Sequence, residues 1–188
     1  MKNLNFHGNV ERLFAEVRSV LGQVSPADVA AVIEQLLKAK RIYVAGGGRS
    51  GLMARTFAQR LMQLGLVTYV VGETTTPGIQ KDDVLLVCSG SGETQVTVLM
   101  SRVAKEIGAR VIAVTANAES QIAHLADTVL LLRAPYKSAP QKGVPSIQYA
   151  GSLFEQSLLI LFDAISLEVG RILGLSEQEL RQRHANLE

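Results

Sequence analysis

Two glycine-rich loops, each placed directly after a short apolar run, constrain this sequence more than any other feature. The first loop covers residues 45–51 and the second covers residues 88–94. Apolar residues with helical spacing follow both loops, so each loop is expected to join a buried strand to the start of a helix. Such a turn gathers free backbone N–H groups at the positive end of a helix dipole. The sequence therefore predicts two anion-binding loops at one edge of a sheet.

Polar side chains in these loops suit a phosphorylated small molecule. Ser89, Ser91 and Thr94 can donate hydrogen bonds to phosphate oxygens. In the first loop, the guanidinium of Arg49 can reach phosphate or sugar oxygens, and Ser50 adds a further hydroxyl. The candidate substrate contacts in the two loops are Gly48, Arg49, Ser50, Ser89, Ser91 and Thr94.

Length and composition predict one globular domain without a nucleic-acid or membrane partner. The chain has 188 residues, of which 47% are hydrophobic and 19% are charged, and its formal charge is +2. That charge gives no basic footprint for nucleic acid or an anionic membrane. Cys88 is the one cysteine, which excludes an internal disulfide and fits a reducing compartment. The first residues lack a signal-peptide core, so the expected location is the cytoplasm.

From residue 41 onward, short β-rich runs alternate with helical segments. The runs are almost entirely apolar, as expected for strands that are covered on both faces. Right-handed crossovers between such strands give an α/β fold, a three-layer αβα sandwich around a five-stranded parallel sheet of the flavodoxin-like or Rossmann-like type. The predicted strands are 42–45, 67–71, 84–88, 111–115 and 128–132, and the helices between them are 51–64, 93–107 and 119–125.

Further helices are predicted on both sides of this core. Apolar spacing indicates a helix over 9–22, and Ser-Pro at 25–26 begins a second helix. The long connection 133–150 contains three prolines, and a loop of this length is usually functional. A strongly apolar helix follows over 151–173, and a capping box at 176–179 begins a last short helix. We expect a single domain over 1–188, with N-terminal helices in 1–40, the αβ core in 41–132 and C-terminal helices in 151–188.

A dinucleotide-binding domain is the main alternative from the residues alone. Residues 46–51 match the pattern G-x-G-x-x-G, and Glu73 lies 22 residues beyond Gly51, where such folds keep their ribose-binding acid. However, about 40 residues of predicted helix precede the first strand, and the serine-rich loop has no role in binding a dinucleotide. The threonine-rich turn after Glu73 is better suited to closing over a small ligand. Glu73, Thr75 and Thr76 are therefore further candidate substrate contacts.

Glu155 is the candidate catalytic base. It lies in an apolar helix beside Phe154 and Leu158. A carboxylate in that setting faces solvent, pairs with a partner or holds its proton more tightly than usual, and the last property suits a general base near neutral pH. No two histidines have metal-ligand spacing and no Cys–His cluster is present, so no metal site is predicted.

Several segments together resemble the 6-phospho-3-hexuloisomerase family of the sugar isomerase (SIS) group. The resemblance covers essentially the whole chain and departs from the family pattern at Gln148-Tyr149-Ala150, where Gln-Pro-Met is expected. It implies the interconversion of D-arabino-hex-3-ulose 6-phosphate and D-fructose 6-phosphate in the ribulose monophosphate pathway of formaldehyde fixation. It also implies a homo-oligomer, commonly a tetramer, that needs no cofactor. The segments that carry it are 48–51, 72–77, 89–94, 146–148, 151–156 and 183–188.

The resemblance also suggests roles for individual residues. Glu155 would move a proton between C2 and C3 through a cis-enediol(ate), and Arg49 would stabilise the enediolate charge. His184 would shuttle the hydroxyl proton in its own cleft or in that of a neighbouring subunit. Two alternatives remain at this point. One is another SIS phosphosugar isomerase, acting on arabinose 5-phosphate or a heptose phosphate, and the other is a non-catalytic sugar-phosphate sensor.

Overall fold

The computed structural model describes residues 4–139 and 144–186 of the chain. Two helices precede an alternation of strands and helices, and two helices follow it. No helix within the described ranges is long and apolar enough to cross a membrane. In chain order the elements are α1 (Phe6–Leu21), α2 (Pro26–Lys38), β1 (Ile42–Gly46), α3 (Gly48–Gln63), β2 (Thr68–Val70), β3 (Val84–Cys88), α4 (Gln95–Ile107), β4 (Arg110–Thr115), α5 (Gln121–Leu125), β5 (Thr128–Leu131), α6 (Ser152–Ile172) and α7 (Glu177–Gln182).

The five strands form one parallel sheet in the order β2-β1-β3-β4-β5. In the middle of the sheet Val44 of β1 lies opposite Val70 of β2 on one side and Leu86 of β3 on the other. The chain crosses to opposite sides of β1 to form β2 and β3, so the connections after β1 and β3 diverge and leave a crevice at the carboxyl edge. The predicted α/β fold with a five-stranded parallel sheet is confirmed.

The two helices that follow the glycine-rich loops, α3 and α4, begin at residues other than those predicted. The structure begins α3 at Gly48 and not at residue 51, so Arg49 and Ser50 belong to its first turn. Glycine is a poor helix former, and the run of glycines therefore favoured a longer loop. In contrast, α4 begins at Gln95 and not at residue 93, because Thr94 has the extended backbone of an N-cap residue. Both changes alter which side chains lie at the sheet edge.

Parallel packing of α3 and α6 positions the functional site. Arg49 at the start of α3 contacts Glu155 at the start of α6. Farther along, the rings of Phe57 and Phe162 stack with their centroids 4.1 Å apart. The two contacts are separated by eight residues on α3 and seven on α6, so the helices run side by side in the same direction. Burial of this aromatic pair in the main core therefore fixes the first turns of both helices at the same edge.

Candidate active site

A cleft of about 480 Å³ opens at the carboxyl ends of β1 and β3. Both predicted anion-binding loops contribute to it, and the start of α6 forms part of its wall. The long connection between β5 and α6 contributes three residues that the sequence did not single out. The cleft is lined by Gly47, Ser50, Cys88, Ser89, Gly90, Ser91, Thr94, Tyr136, Lys137, Ser138, Ala150, Gly151, Phe154 and Glu155.

The serine-rich loop is held in shape by its own hydroxyl groups. Ser89 is buried, and its Oγ accepts a hydrogen bond from the backbone N–H of Gly92 at 3.1 Å. The same Oγ lies 3.0 Å from Oγ1 of Thr94. The Oγ of Ser91 accepts from the backbone N–H of Glu93 at 3.2 Å. If Ser89 donates to Thr94, the hydroxyl hydrogen of Thr94 remains available for a ligand.

Close backbone contact explains the glycines of the first loop. A Cβ atom at Gly51 would lie 2.4 Å from the carbonyl oxygen of Gly46.

The starts of α3 and α4 have no side-chain cap. The N-cap residue of α3, Gly47, supplies no side-chain hydrogen bond to the helix start. The N-cap residue of α4, Thr94, supplies none either. The first N–H groups of both helices therefore lack a side-chain cap, which suits an anion bound at this edge.

Glu155 pairs with Arg49. The Nε of Arg49 donates to Oε2 of Glu155, whose side chain is 15% exposed, whereas that of Arg49 is 62% exposed. Of the three states that the sequence allowed for this carboxylate, the structure therefore gives the paired one. The guanidinium holds the carboxylate at the wall of the cleft, but Arg49 itself and Gly48 lie outside the lining of the cleft.

The threonine-rich turn lies outside the lining of this cleft. Glu73 faces Arg55, with Oε1 and Nη1 separated by 3.5 Å, and both side chains are about half exposed. Thr76 donates from Oγ1 to the carbonyl of Val70 at 2.6 Å and lines a separate apolar pocket. Thr75 is exposed on the same turn. Since β2 ends at Val70, the turn folds back over its own strand and not over the cleft.

His184 also lies away from the cleft of its own chain. Its Nδ1 is 3.0 Å from the carbonyl oxygen of Leu180. It lines a separate cavity of about 670 Å³ together with Asp163 of α6. Asp163 is eight residues beyond Glu155, a distance of about 12 Å along the helix. Leu187 and Glu188, which belong to the terminal motif, lie outside the described residues.

Tyr136, Lys137 and Ser138 were missed by the sequence analysis. They come from the connection between β5 and α6. Its length and its prolines predicted that this connection is functional, but no local pattern indicated which of its residues would reach the cleft. Tyr136 is buried, and Lys137 is exposed at the cleft wall. Gly90 leaves room for this segment, because a Cβ atom there would lie 3.3 Å from Cβ of Tyr136. The lysine adds a cation to the lining of the cleft.

Two further groups near the cleft have structural roles. Burial raises the pKa of the Cys88 thiol above its usual range, so this residue stays protonated beneath the cleft.

Glu93 lies before the start of α4, so the prediction that this helix begins at residue 93 is wrong. Its carboxylate accepts from the Nε2 of Gln121 at 2.7 Å and from the backbone N–H of Gln121 at 2.9 Å. These bonds lower the pKa of Glu93 and cap the start of α5.

Comparison with known families agrees with this geometry. The model of the SIS domain family matches residues 35–160, which include both anion-binding loops and Glu155. The chain belongs to the SIS domain family.

Relatives within this family indicate which kind of SIS protein the chain resembles. The chain is 43% identical to a 3-hexulose-6-phosphate isomerase of Mycobacterium gastri, over 96% of this chain and 90% of the relative. It is 36% identical to a protein of the same name from Bacillus subtilis, over 95% of this chain and 97% of the relative. A crystal structure of a Methanococcus jannaschii protein, from which the same function was inferred, superposes with a TM-score of 0.84 at 32% identity and covers 96% of this chain and 99% of that one.

Proposed function

We propose that this protein is a ketose-phosphate isomerase that interconverts D-arabino-hex-3-ulose 6-phosphate and D-fructose 6-phosphate. One observation carries the proposal: a single cleft brings a carboxylate paired with a guanidinium next to two glycine-rich helix starts. The carboxylate suits proton transfer, and the helix starts suit a phosphate. The full-length similarity to two proteins named 3-hexulose-6-phosphate isomerase supports this substrate. The reaction would then serve the ribulose monophosphate pathway.

The proposed chemistry is a proton transfer through a cis-enediolate. Glu155 removes the proton from C2 of the 3-ulose, the C2–H electron pair forms the C2–C3 double bond, and O3 takes the negative charge. The proton of the C2 hydroxyl then passes to O3, and Glu155 returns its proton to C3 as the C2 carbonyl forms, which gives the 2-ulose. The sequence is redox-neutral and requires no cofactor. The guanidinium of Arg49, which donates to Glu155, stabilises the negative charge of the enediolate oxygen.

Phosphate binding would hold the reacting carbons against Glu155. Ser50, Ser89, Ser91 and Thr94, together with the N-termini of α3 and α4, are the proposed phosphate ligands. Lys137, which lines the same cleft, supplies further positive charge for the dianion. Binding energy from this remote group orients C2 and C3 and so lowers the barrier to the chemical step. Gly48, Glu73, Thr75 and Thr76 do not line the cleft, and they are proposed to contact only the part of the substrate that extends beyond it.

We further propose that the protein works as a homo-oligomer in the cytoplasm, with a tetramer as the expected state. Apolar side chains exposed on α4 form a stripe along one face of the helix. A second apolar surface of α1 and α6 includes Phe14 and Ile160. Surfaces of this kind favour association. A neighbouring subunit could also bring its own His184 to the cleft, where it would shuttle the hydroxyl proton. The α4 stripe consists of Val96, Leu99, Val103 and Ile107.

A coupled assay tests the proposed reaction directly. The purified protein is given arabino-hex-3-ulose 6-phosphate, formed in place from formaldehyde and ribulose 5-phosphate by an added synthase. Fructose 6-phosphate is detected through glucose 6-phosphate oxidation. Turnover above about 1 s⁻¹ is expected. No turnover, with the coupling enzymes verified, would contradict the proposal, and arabinose 5-phosphate and heptose phosphates are then the substrates to test.

A further inference from the structure

A carboxylate on α1 binds the segment that leads into α6. Oε2 of Glu16 accepts from the Oγ of Ser146 at 2.7 Å and from the Nε2 of Gln148 at 3.1 Å. Oε1 of Glu16 accepts from the backbone N–H of Ile147 at 2.9 Å. Glu16 and this segment are about 130 residues apart in sequence, and the three donors are consecutive residues. Both carboxylate oxygens are therefore engaged by one short stretch of chain.

These contacts keep Glu16 ionised. Burial alone would raise the pKa of Glu16. The hydrogen bonds from Ile147, Ser146 and Gln148, together with the charge of Arg12, outweigh that effect and lower the pKa. Hydrogen bonds to an ionised acceptor are stronger than those between neutral groups. The contact is thus a charge-assisted anchor at neutral pH.

Gln148 depends on this anchor. Its Oε1 is buried and has no hydrogen-bond partner among the described residues. A buried amide oxygen without a partner carries a free-energy cost, so the side chain is held in place by its other interactions. The bond from Nε2 of Gln148 to Glu16 is the side-chain hydrogen bond that does so. Without the carboxylate, both ends of this amide would lack a partner at that position.

A short stretch of chain connects the anchor to Glu155. Ala150, two residues after Gln148, has a φ of 51°, a left-handed conformation that costs free energy in a residue with a side chain. The backbone N–H of Ser152 then donates to the carbonyl of Tyr149 at 3.0 Å, and that of Glu155 donates to the carbonyl of Gly151 at 3.1 Å. Ala150 and Gly151 themselves line the cleft. Displacement of the anchored segment would therefore move the first turn of α6.

We propose that Glu16 is a positioning residue for the isomerisation: it anchors residues 146–148 and thereby holds Glu155 in register with Arg49 and the two phosphate-binding loops. This inference rests on the proposed function. Glu16 itself does not line the cleft. Its effect is on the placement of the base and not on the phosphate ligands, which lie on other elements. A loss of the anchor should therefore lower kcat and leave KM nearly unchanged.

Glu16→Gln is the first test, because it preserves shape and replaces one accepting oxygen with an amide that faces the donors. We expect kcat to fall about 10- to 100-fold, as for a misplaced catalytic group, with KM within about twofold. Hydrogen–deuterium exchange over residues 146–155 should become faster, and this readout needs no substrate. Glu11→Gln, at an exposed carboxylate of the same helix, is the control and should leave both measurements unchanged.

A compensating variant separates positioning from general destabilisation. Gln148→Glu alone places two carboxylates together and should lower kcat at least as much as Glu16→Gln. The double variant Glu16→Gln/Gln148→Glu restores a donor–acceptor pair and should recover at least about tenfold of a 100-fold loss. If Glu16→Gln does not fold, Ser146→Ala removes one donor and should lower kcat severalfold at constant KM.

Three outcomes would overturn the inference. One is a Glu16→Gln variant with the kcat and the exchange rates of the wild type. Another is a fall in kcat that the double variant does not reverse, and the third is a Ser146→Ala variant with unchanged kcat. Failure of the wild-type protein to convert the hexulose phosphate would instead contradict the proposed function. The exchange experiment would still report whether Glu16 orders the start of α6.

Discussion

Arg49 and Glu155 are 106 residues apart in sequence, yet they meet because α3 and α6 begin at the same edge of the sheet. The pair joins the two parts of the proposed chemistry, since Arg49 lies in the first turn of α3 and Glu155 in the first turn of α6. Stacking of Phe57 on Phe162 below the pair fixes the alignment of these helices. The position of the proposed base relative to the proposed phosphate site is thus determined by the hydrophobic core.

Glu155→Gln should abolish most of the activity and leave the fold intact. The amide cannot accept the C2 proton, so kcat should fall by about 10²- to 10⁴-fold, which is the usual contribution of a general base. The thermal midpoint should change little, since the amide oxygen can still accept from Arg49. Steady-state kinetics and a melting curve measure both. Glu168→Gln, at an exposed position of the same helix, is the matched control. Near-normal turnover by Glu155→Gln would show that Glu155 is not the general base.

Arg49→Lys tests whether the guanidinium, and not only its charge, is required. Lysine keeps the positive charge but cannot hold the carboxylate and an enediolate oxygen with one planar group. We expect kcat to fall about 10- to 100-fold, with a smaller change in KM. Arg102→Lys on α4, whose side chain is exposed, should have no effect on kcat. Equal kcat values for Arg49→Lys and the wild type would show that charge alone is sufficient.

The predictable parts of this site are those specified by local sequence. Gly46 and Gly51 were found because a tight strand-to-helix turn requires glycine at a close backbone contact, and that requirement is visible in a few consecutive residues. Ser89 and Thr94 belong to a second such loop, and both line the cleft. The strands were found from their apolar runs, but their order in the sheet was not predicted, because right-handed crossovers are compatible with more than one order.

The remaining parts depend on contacts between distant segments. Neither Glu16 nor Lys137 belongs to a local pattern, and each has its role only because the long connection returns over the sheet edge. The partner of Glu155 could not be predicted for the same reason. Thr76 was predicted to contact the substrate because it lies just after a strand. In the structure its hydroxyl instead donates to the carbonyl of Val70. Local hydrogen bonds compete with ligand contacts, and the sequence does not indicate which prevails.

Glycine substitutions should separate backbone strain from steric overlap. Gly48 has a φ of 53° with open space around its missing side chain, so Gly48→Ala should lower the free energy of unfolding by about 1 kcal/mol. Gly92 has a φ of 68°, and a Cβ atom there would lie 2.0 Å from the Oγ of Ser120. Gly92→Ala should therefore cost more, at least about 2 kcal/mol. Urea unfolding measures both, and equal losses would contradict the role of the contact with Ser120.

Gly78→Ala provides the reference for this series. Gly78 has no positive φ and no atom within 4 Å of its missing Cβ, so the substitution should change the free energy of unfolding by less than about 0.5 kcal/mol.

Asp127 should make stability depend on pH in the acid range. Burial raises the pKa of Asp127, but the bonds from Lys105 and the backbone N–H of Val111, with the nearby charges, outweigh it and lower the pKa. The folded state therefore binds a proton less readily than the unfolded chain, whose pKa is about 3.9. The stabilisation is present above that value and is lost as the pH falls through the lower pKa of the folded state. Asp127→Asn should be less stable than the wild type at pH 7, and its free energy of unfolding should fall less than that of the wild type as the pH is lowered from 5. Parallel curves of stability against pH for the variant and the wild type would contradict this role of Asp127.

Mixed oligomers should show whether His184 acts in the cleft of a neighbouring subunit. Within one chain His184 lies beside the second half of α6, far from Glu155. His184→Ala and Glu155→Gln are each expected to be nearly inactive alone. If the histidine crosses between subunits, a co-expressed mixture contains some clefts in which both residues are intact, and random pairing should restore roughly a quarter of the wild-type activity. If each chain uses its own histidine, every cleft lacks one group and the mixture stays inactive. Differently tagged copies, purified in two steps, remove the oligomers that carry only one variant, so the recovery should then be slightly above a quarter for a tetramer.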